Sequence, residues 1–190
     1  MKKIDTPLDG CFIIEPQLFG DARGWFYESY SERAFADLGI HTVFVQDNRS
    51  FSAQKGTLRG LHCQTEPHAQ TKLICCTRGV LTDVVVDIRE GSPSFMQHIC
   101  VELSDENHRM LYIPKGFLHG FVTRTENVEV FYKVDDFYAP ECDRSVRYCD
   151  DAFSIDWDEP EPILSRKDQQ NACLCESDIR FVWKRDPSCA

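Results

Sequence analysis

From Phe12 to Val134 the chain is written mostly in a period of two, with short apolar runs cut by turn residues. Ile99-Val101-Leu103 and Val128-Val130-Tyr132-Val134 alternate with polar partners, as half-buried antiparallel strands do. Phe12-Ile13-Ile14 predicts a strand stopped at Pro16, and Trp25 to Glu28 a second one after the turn Asp21-Ala22-Arg23-Gly24. Ser29 followed by Glu32 has the spacing of a capping box, so a helix is expected through Ala34, Phe35 and Leu38, closing at Gly39. Val43 to Gln46 predicts a strand and Asp47 to Ser50 a turn. Strand signals then recur about every ten residues, the rhythm of a sandwich or barrel. They cover Leu58–Gln64, Lys72–Thr77, Val80–Ile88, Gln97–Leu103, Met110–Ile113, His119–Thr123 and Val128–Val134. After Pro140 the pattern loosens, with a short helix expected between Ser165 and Gln170. The fold class is therefore all-β, a double-sheet jelly roll with a few short peripheral helices. It forms one domain over 1–183, with 184–190 as a C-terminal tail.

Length and composition fit that picture. The 190 residues suit one core, and 42% apolar with 27% charged residues is ordinary for a globular protein. No apolar run reaches membrane-spanning length, and the start has no apolar stretch behind its lysines, so a cytoplasmic protein is expected. The formal charge of −10 argues against nucleic acid or a membrane surface as partner. The ten cysteines include no Cys-x-x-Cys pair. They are expected to be reduced and used as small buried hydrophobes, with no metal site.

The densest chemistry lies between Leu58 and Leu73. Arg59, His62, Gln64, His68, Gln70 and Lys72 fall on a strand, a loop broken at Pro67, and the head of the next strand. Strict alternation puts Leu58, Gly60 and His62 on one face and Arg59 and Leu61 on the other. An imidazole facing a lysine on a neighbouring strand suits proton transfer. Taken alone, Tyr132 reads as a cross-strand core aromatic, Asp168 as a surface carboxylate, and Arg23 and Arg59 as surface ion-pair partners.

Arg59-Gly60-Leu61-His62, with Ile113-Pro114-Lys115-Gly116-Phe117-Leu118-His119-Gly120-Phe121, resembles the two motif boxes of the cupin superfamily. Further markers stand in one order along the chain. They are Phe19 to Gly24, Phe44-Val45-Gln46-Asp47-Asn48, Pro67-His68-Ala69-Gln70, Asp87-Ile88-Arg89, Gly91-Ser92-Pro93, Tyr132-Lys133 and Tyr138-Ala139-Pro140. With them, nearly the whole chain resembles the dTDP-4-dehydrorhamnose 3,5-epimerase family. The resemblance implies inversion of C3 and C5 of a dTDP-4-keto-6-deoxy sugar, with no cofactor.

It makes His62 the base, Asp168 the carboxylate that orients it, and Tyr132 the acid on the opposite face. Lys72 and His119 fall near the C4 carbonyl. Arg23, Gln46, Asp47, Asn48 and Arg59 match nucleotide or diphosphate contacts. Glu28, Asp143 and Lys167 match further substrate positions, and Tyr138 the ring that stacks on thymine. The resemblance also implies a homodimer in which an N-terminal segment of one subunit completes its partner's site. Cys63 after the base, Asp143, Cys75-Cys76 and Leu118 depart from the family's usual residues. They leave open a relative that inverts only one carbon. A metal-dependent cupin and a non-catalytic sugar-nucleotide binder remain as alternatives from other classes, although His62 lacks the second histidine of a His-x-His metal motif.

Overall fold

The computed structural model describes residues 1–184. The chain runs through β1 (Lys2–Asp5), β2 (Phe12–Glu15), β3 (Phe19–Asp21), β4 (Gly24–Phe26), α1 (Glu32–Asp37), β5 (Gln46–Ser52), β6 (Leu58–Gln64), β7 (Lys72–Arg78) and β8 (Val80–Asp87). It continues through β9 (Arg89–Glu90), β10 (His98–Ser104), β11 (Met110–Ile113), β12 (Phe117–Thr123), β13 (Val128–Val134), β14 (Asp143–Ser145) and β15 (Phe181–Val182). Two antiparallel sheets make the jelly roll: six strands in the order β1-β2-β11-β7-β13-β5, and five in the order β10-β8-β12-β6-β14.

Alternation sorts the side chains into layers. Ile74, Cys76, Leu111, Ile113, Val128 and Val130 of the larger sheet meet Leu81, Val85, Val101, Leu103, Phe117 and Phe121 of the smaller one. The outer face of the smaller sheet packs Leu58, Leu61, Val84, Val86, Leu118 and Val122 under Phe153, Trp157 and Ile179 of the C-terminal segment. The loose pattern after Pro140 thus belongs to a lid over an apolar face. The outer face of the larger sheet packs Phe12, Ile14, Leu73 and Met110 against Phe35 and Ile40 of the α1 region. Strand β8 is buried at most positions, with Leu81, Val84, Val85 and Val86 on its two faces, because both faces are covered.

Three local expectations change. The N-cap of α1 is Ser31, whose Oγ accepts from the Ala34 N–H at 3.4 Å, and Ser29 lies outside the helix. Asp47 to Ser50 is strand instead of turn. Its polar sequence is overridden by a full ladder in which Val128–Val134 pairs with Ser52–Gln46. The cysteines are only partly buried. All nine described ones are free thiols, but Cys100, Cys149 and Cys175 are exposed. The expected tail lies, from residue 185 onward, outside the described residues. The Ser165–Gln170 segment forms a single 3₁₀ turn over Asp168–Gln170.

Strict alternation also fails in β6. Its pairing with β12 matches His62 to His119 but Arg59 to Phe121, so β6 carries one extra residue, a β-bulge. Leu58 and Leu61 therefore both enter the outer apolar layer, and Arg59 and His62 share the inner cavity. Gly60 permits this geometry. Its φ is +136°, and a Cβ there would meet the Gly120 Cα at 2.5 Å.

Candidate active site

The inner faces of the two sheets leave a cavity of about 190 Å³ between them, lined by Ser50, Arg59, His62, Lys72, His119, Phe121, Val130 and Tyr132. β6, β7, β12 and β13 thus each contribute a functional side chain from a rigid strand. A second cleft of about 350 Å³ shares the Arg59–His62 wall and is closed by Ile163, Leu164, Ser165, Lys167 and Asp168.

His62 Nε2 lies 2.6 Å from Asp168 Oδ1. Asp168 is buried, and its other oxygen accepts from Ser165 Oγ at 2.8 Å. Asn171 Nδ2 adds a 3.3 Å bond to Oδ1. Burial opposes ionisation of this carboxyl, but the hydrogen bonds from His62, Ser165 and Asn171 outweigh it and hold it below the usual carboxylate range. An ionised Asp168 requires the proton on Nε2, which leaves the Nδ1 lone pair of a neutral His62 free to act as a base.

On the same sheet His119 Nε2 lies 2.9 Å from Asp83 Oδ2. Burial pushes His119 below its ordinary value, against the pull of Asp83, so this ring is neutral near pH 7. Asp83 is fully buried, and its Oδ1 has no hydrogen-bond partner among the described residues. Burial likewise lowers Lys72, partly offset by Asp83 and Asp143. The Lys72 ammonium has no hydrogen bond or ion pair among the described residues. Burial raises Tyr132, with Arg59 opposing, so the phenol keeps its proton.

The expected ligand residues fall into three groups. Arg59 lies on the cavity wall, held by Ser52 Oγ at 3.2 Å and the Phe51 carbonyl at 3.0 Å. Beside it, Asn48 is the cross-strand partner of Tyr132 and accepts from Gln46 Nε2 at 2.9 Å. At the mouth, Lys167 Nζ reaches Asp143 Oδ2 at 2.6 Å, and the Tyr138 hydroxyl lies 3.5 Å from the same oxygen. The third group stands apart. Asp47 faces outward and pairs with Lys133 at 2.8 Å. Arg23 sits on the exposed β3–β4 hairpin, paired with Asp21 in a separate shallow pocket. Glu28 is exposed, with no side-chain partner among the described residues.

Sequence reasoning missed Asp83 and Ser165. Asp83 did leave a signal, a carboxylate at an inward position between Leu81 and Val85, both of which enter the core. Other family markers prove structural: Asp87 holds Arg89, Ser92 and Ser94 in one buried network.

A jelly roll whose inner cavity gathers two imidazoles, a lysine and a phenol places this chain among the cupin-like barrels with an acid–base site. Residues 5–176 match the model of the dTDP-4-dehydrorhamnose 3,5-epimerase family, and the chain belongs to that family. A dTDP-4-dehydrorhamnose 3,5-epimerase of Pseudomonas aeruginosa is 46% identical over 94% of this chain and 98% of its own length. The dTDP-6-deoxy-D-glucose-3,5-epimerase of Legionella pneumophila, solved with dTDP-4-keto-L-rhamnose, is 44% identical with a TM-score of 0.91, covering 96% of this chain and 99% of that one. A 3'-monoepimerase of Streptomyces bikiniensis, solved with dTDP-quinovose, is 30% identical with a TM-score of 0.86, covering 93% of this chain and 91% of that one.

Proposed function

We propose that this chain is a dTDP-4-dehydrorhamnose 3,5-epimerase. It inverts C3 and C5 of dTDP-4-dehydro-6-deoxy-D-glucose to give dTDP-4-dehydro-L-rhamnose. The observation that carries the reading is the one cavity wall bearing His62 on Asp168, with Lys72 and Tyr132 lining the same space. The 3,5-epimerase of Pseudomonas aeruginosa resembles the chain more closely in sequence than the monoepimerase does, which favours two inversions over one.

A hydrogen next to a ketone is acidic because its electron pair spreads onto the carbonyl oxygen. Inversion needs a base on one face, an acid on the other, and positive charge at that oxygen. His62 takes the C3 proton, and the electron pair moves to the C4 oxygen. Lys72 supplies the charge, since the neutral His119 has only hydrogen bonding to offer. Tyr132 returns a proton to C3 from the opposite face, and solvent restores both groups before the cycle repeats at C5. Arg59 and Lys167 hold the diphosphate, Gln46 and Asn48 the deoxyribose side, and Tyr138 stacks on the base.

The unit is a homodimer. The hairpin exposes Phe19, Trp25 and Phe26, an apolar patch that a second subunit would cover. With Arg23 and Glu28 it completes the partner's site. The nine free thiols among the described residues suit a reducing compartment, which favours the cytoplasm.

An NMR time course with dTDP-4-dehydro-6-deoxy-D-glucose in D2O tests the reaction. Deuterium enters C3 and C5 with both centres inverted. Label at a single carbon, or none, overturns the assignment.

A further inference from the structure

The base-stacking residue assigned above, Tyr138, is 58% exposed, so packing does not hold its ring. Its own N–H donates to Gln46 Oε1 over a long 3.4 Å, and the residues on either side of it are held from beneath by one side chain. Gln64, 5% exposed at the end of β6, uses its whole carboxamide on main chain. Oε1 accepts from Ala139 N–H at 2.8 Å, and Nε2 donates to the Phe137 carbonyl at 3.2 Å and to the His68 carbonyl at 2.6 Å. Two of these bonds grip the residues on either side of Tyr138. The third ties them to the loop after β6.

That loop adds a second hold. Gln70 Nε2 donates to the Asp136 carbonyl at 2.8 Å, and His68 Nδ1 lies 3.3 Å from Asp136 Oδ2. Asp136 Oδ1 in turn accepts the Phe137 N–H at 2.7 Å. The Pro67-His68-Ala69-Gln70 marker thus has a physical task although none of its side chains lines the cavity. Gln64 also pairs across the sheet with Asp143, the carboxylate nearest the Tyr138 hydroxyl.

We infer that Gln64 is a positioning residue that presets Tyr138 for the nucleotide base, with Gln70 as its support. The inference rests on the assignment of Tyr138 to the base. An exposed aromatic on an unrestrained loop pays its ordering cost when ligand binds, and fixing the loop beforehand removes that cost. Gln64 therefore acts on affinity for the nucleoside part and not on proton transfer.

Gln64→Glu is nearly isosteric but turns a donor facing two carbonyl oxygens into an acceptor. Calorimetry with dTDP and with inorganic pyrophosphate separates base from diphosphate. The expected result is roughly tenfold weaker dTDP binding, unchanged pyrophosphate binding, a raised KM for the nucleotide sugar and an unchanged kcat. Added to Tyr138→Ala, the substitution costs nothing further. Equal losses for both ligands, a fall in kcat at constant KM, or an additive double variant overturns the inference. Wild-type dTDP affinity in Tyr138→Ala overturns the assignment of Tyr138 itself. A weakened Tyr138→Ala beside an unchanged Gln64→Glu overturns the inference alone. If Gln64→Glu does not fold, Gln70→Ala is read by the same two ligands. A smaller loss confined to dTDP supports the inference, and unchanged dTDP affinity defeats it.

Discussion

Asp168 Oδ1 and His62 Nε2 meet at 2.6 Å across 106 residues of chain. The contact joins a strand of the inner barrel to a 3₁₀ turn in the C-terminal lid. The lid thus fixes which nitrogen of the base carries the proton as well as covering an apolar face. Asp168→Asn keeps the shape and removes the charge. Turnover should fall on the order of 10²-fold or more, through loss of tautomer control and basicity. Deuterium exchange should slow with it, because both share the first step.

The same carboxylate makes a pH prediction for stability. Its folded value lies below the ordinary 3.8, so the unfolded chain binds the proton more readily. The stability it adds is complete above that ordinary value and is lost as pH falls through the lower folded one. Urea midpoints of the wild type and Asp168→Asn should differ at pH 6 and converge on acidification. A constant gap down to about pH 2 would show that Asp168 contributes nothing through ionisation.

Lys72 and Tyr132 line one cavity yet shift in opposite directions, Lys72 downward and Tyr132 upward. Lys72 therefore loses its proton at a lower pH than an ordinary lysine, and Tyr132 at a higher pH than an ordinary phenol. The alkaline fall of kcat should reflect loss of the Lys72 charge at the C4 oxygen. Lys72→Arg should move that fall upward, since a guanidinium holds its proton, whatever it costs in rate. An unmoved alkaline limb assigns it to another group.

The barrel itself was legible because alternation is local and most strands have one covered face. β5 was misread because its residues are mostly polar on both faces, Ser50 toward the cavity and Asp47 and Arg49 outward to Lys133 and Glu129, and the pairing that makes it a strand lies in residues 128–134. Alternation assigned Arg59 and His62 to opposite faces because a bulge depends on the partner strand's register. Asp168 looked like a surface carboxylate because no pattern within the lid reveals what it covers. Only the family resemblance brought it to His62.

Arg23 and His62 supply a test of the proposed dimer. In Arg23→Ala the hairpin is impaired and the barrel intact; in His62→Ala the reverse holds. A mixed dimer contains one site with both defects and one with neither if the hairpin acts in the partner. Co-refolding two nearly inactive variants should recover activity. Recovery no greater than the sum of the separate variants places Arg23 in its own subunit's site.

Activity should not depend on a metal. The Nε2 atoms of His62 and His119 each face a carboxylate, and no group of three His, Cys, Asp or Glu side chains at metal-binding spacing occurs among the described residues. Dialysis against a strong chelator should leave turnover unchanged. Loss that added Fe(II) or Mn(II) restores would move the protein to the metal-dependent cupins.

The two proton-transfer roles separate in Tyr132→Phe. The ring stays, so the packing of Tyr132 against the apolar core is kept, but the acid is gone. His62 still removes a proton, and the enolate is recaptured mainly by the same imidazole on the same face. In D2O the variant should exchange the substrate proton for deuterium while forming little epimer. His62→Ala should lose exchange and epimerisation together, since no base remains. Exchange reports the base alone, whereas inversion needs base and acid on opposite faces. Mass spectrometry follows label uptake and NMR follows the configuration in the same sample. Wild-type epimerisation by Tyr132→Phe would remove Tyr132 from the reaction. Label entering the sugar in His62→Ala would mean that the base is elsewhere in the cavity.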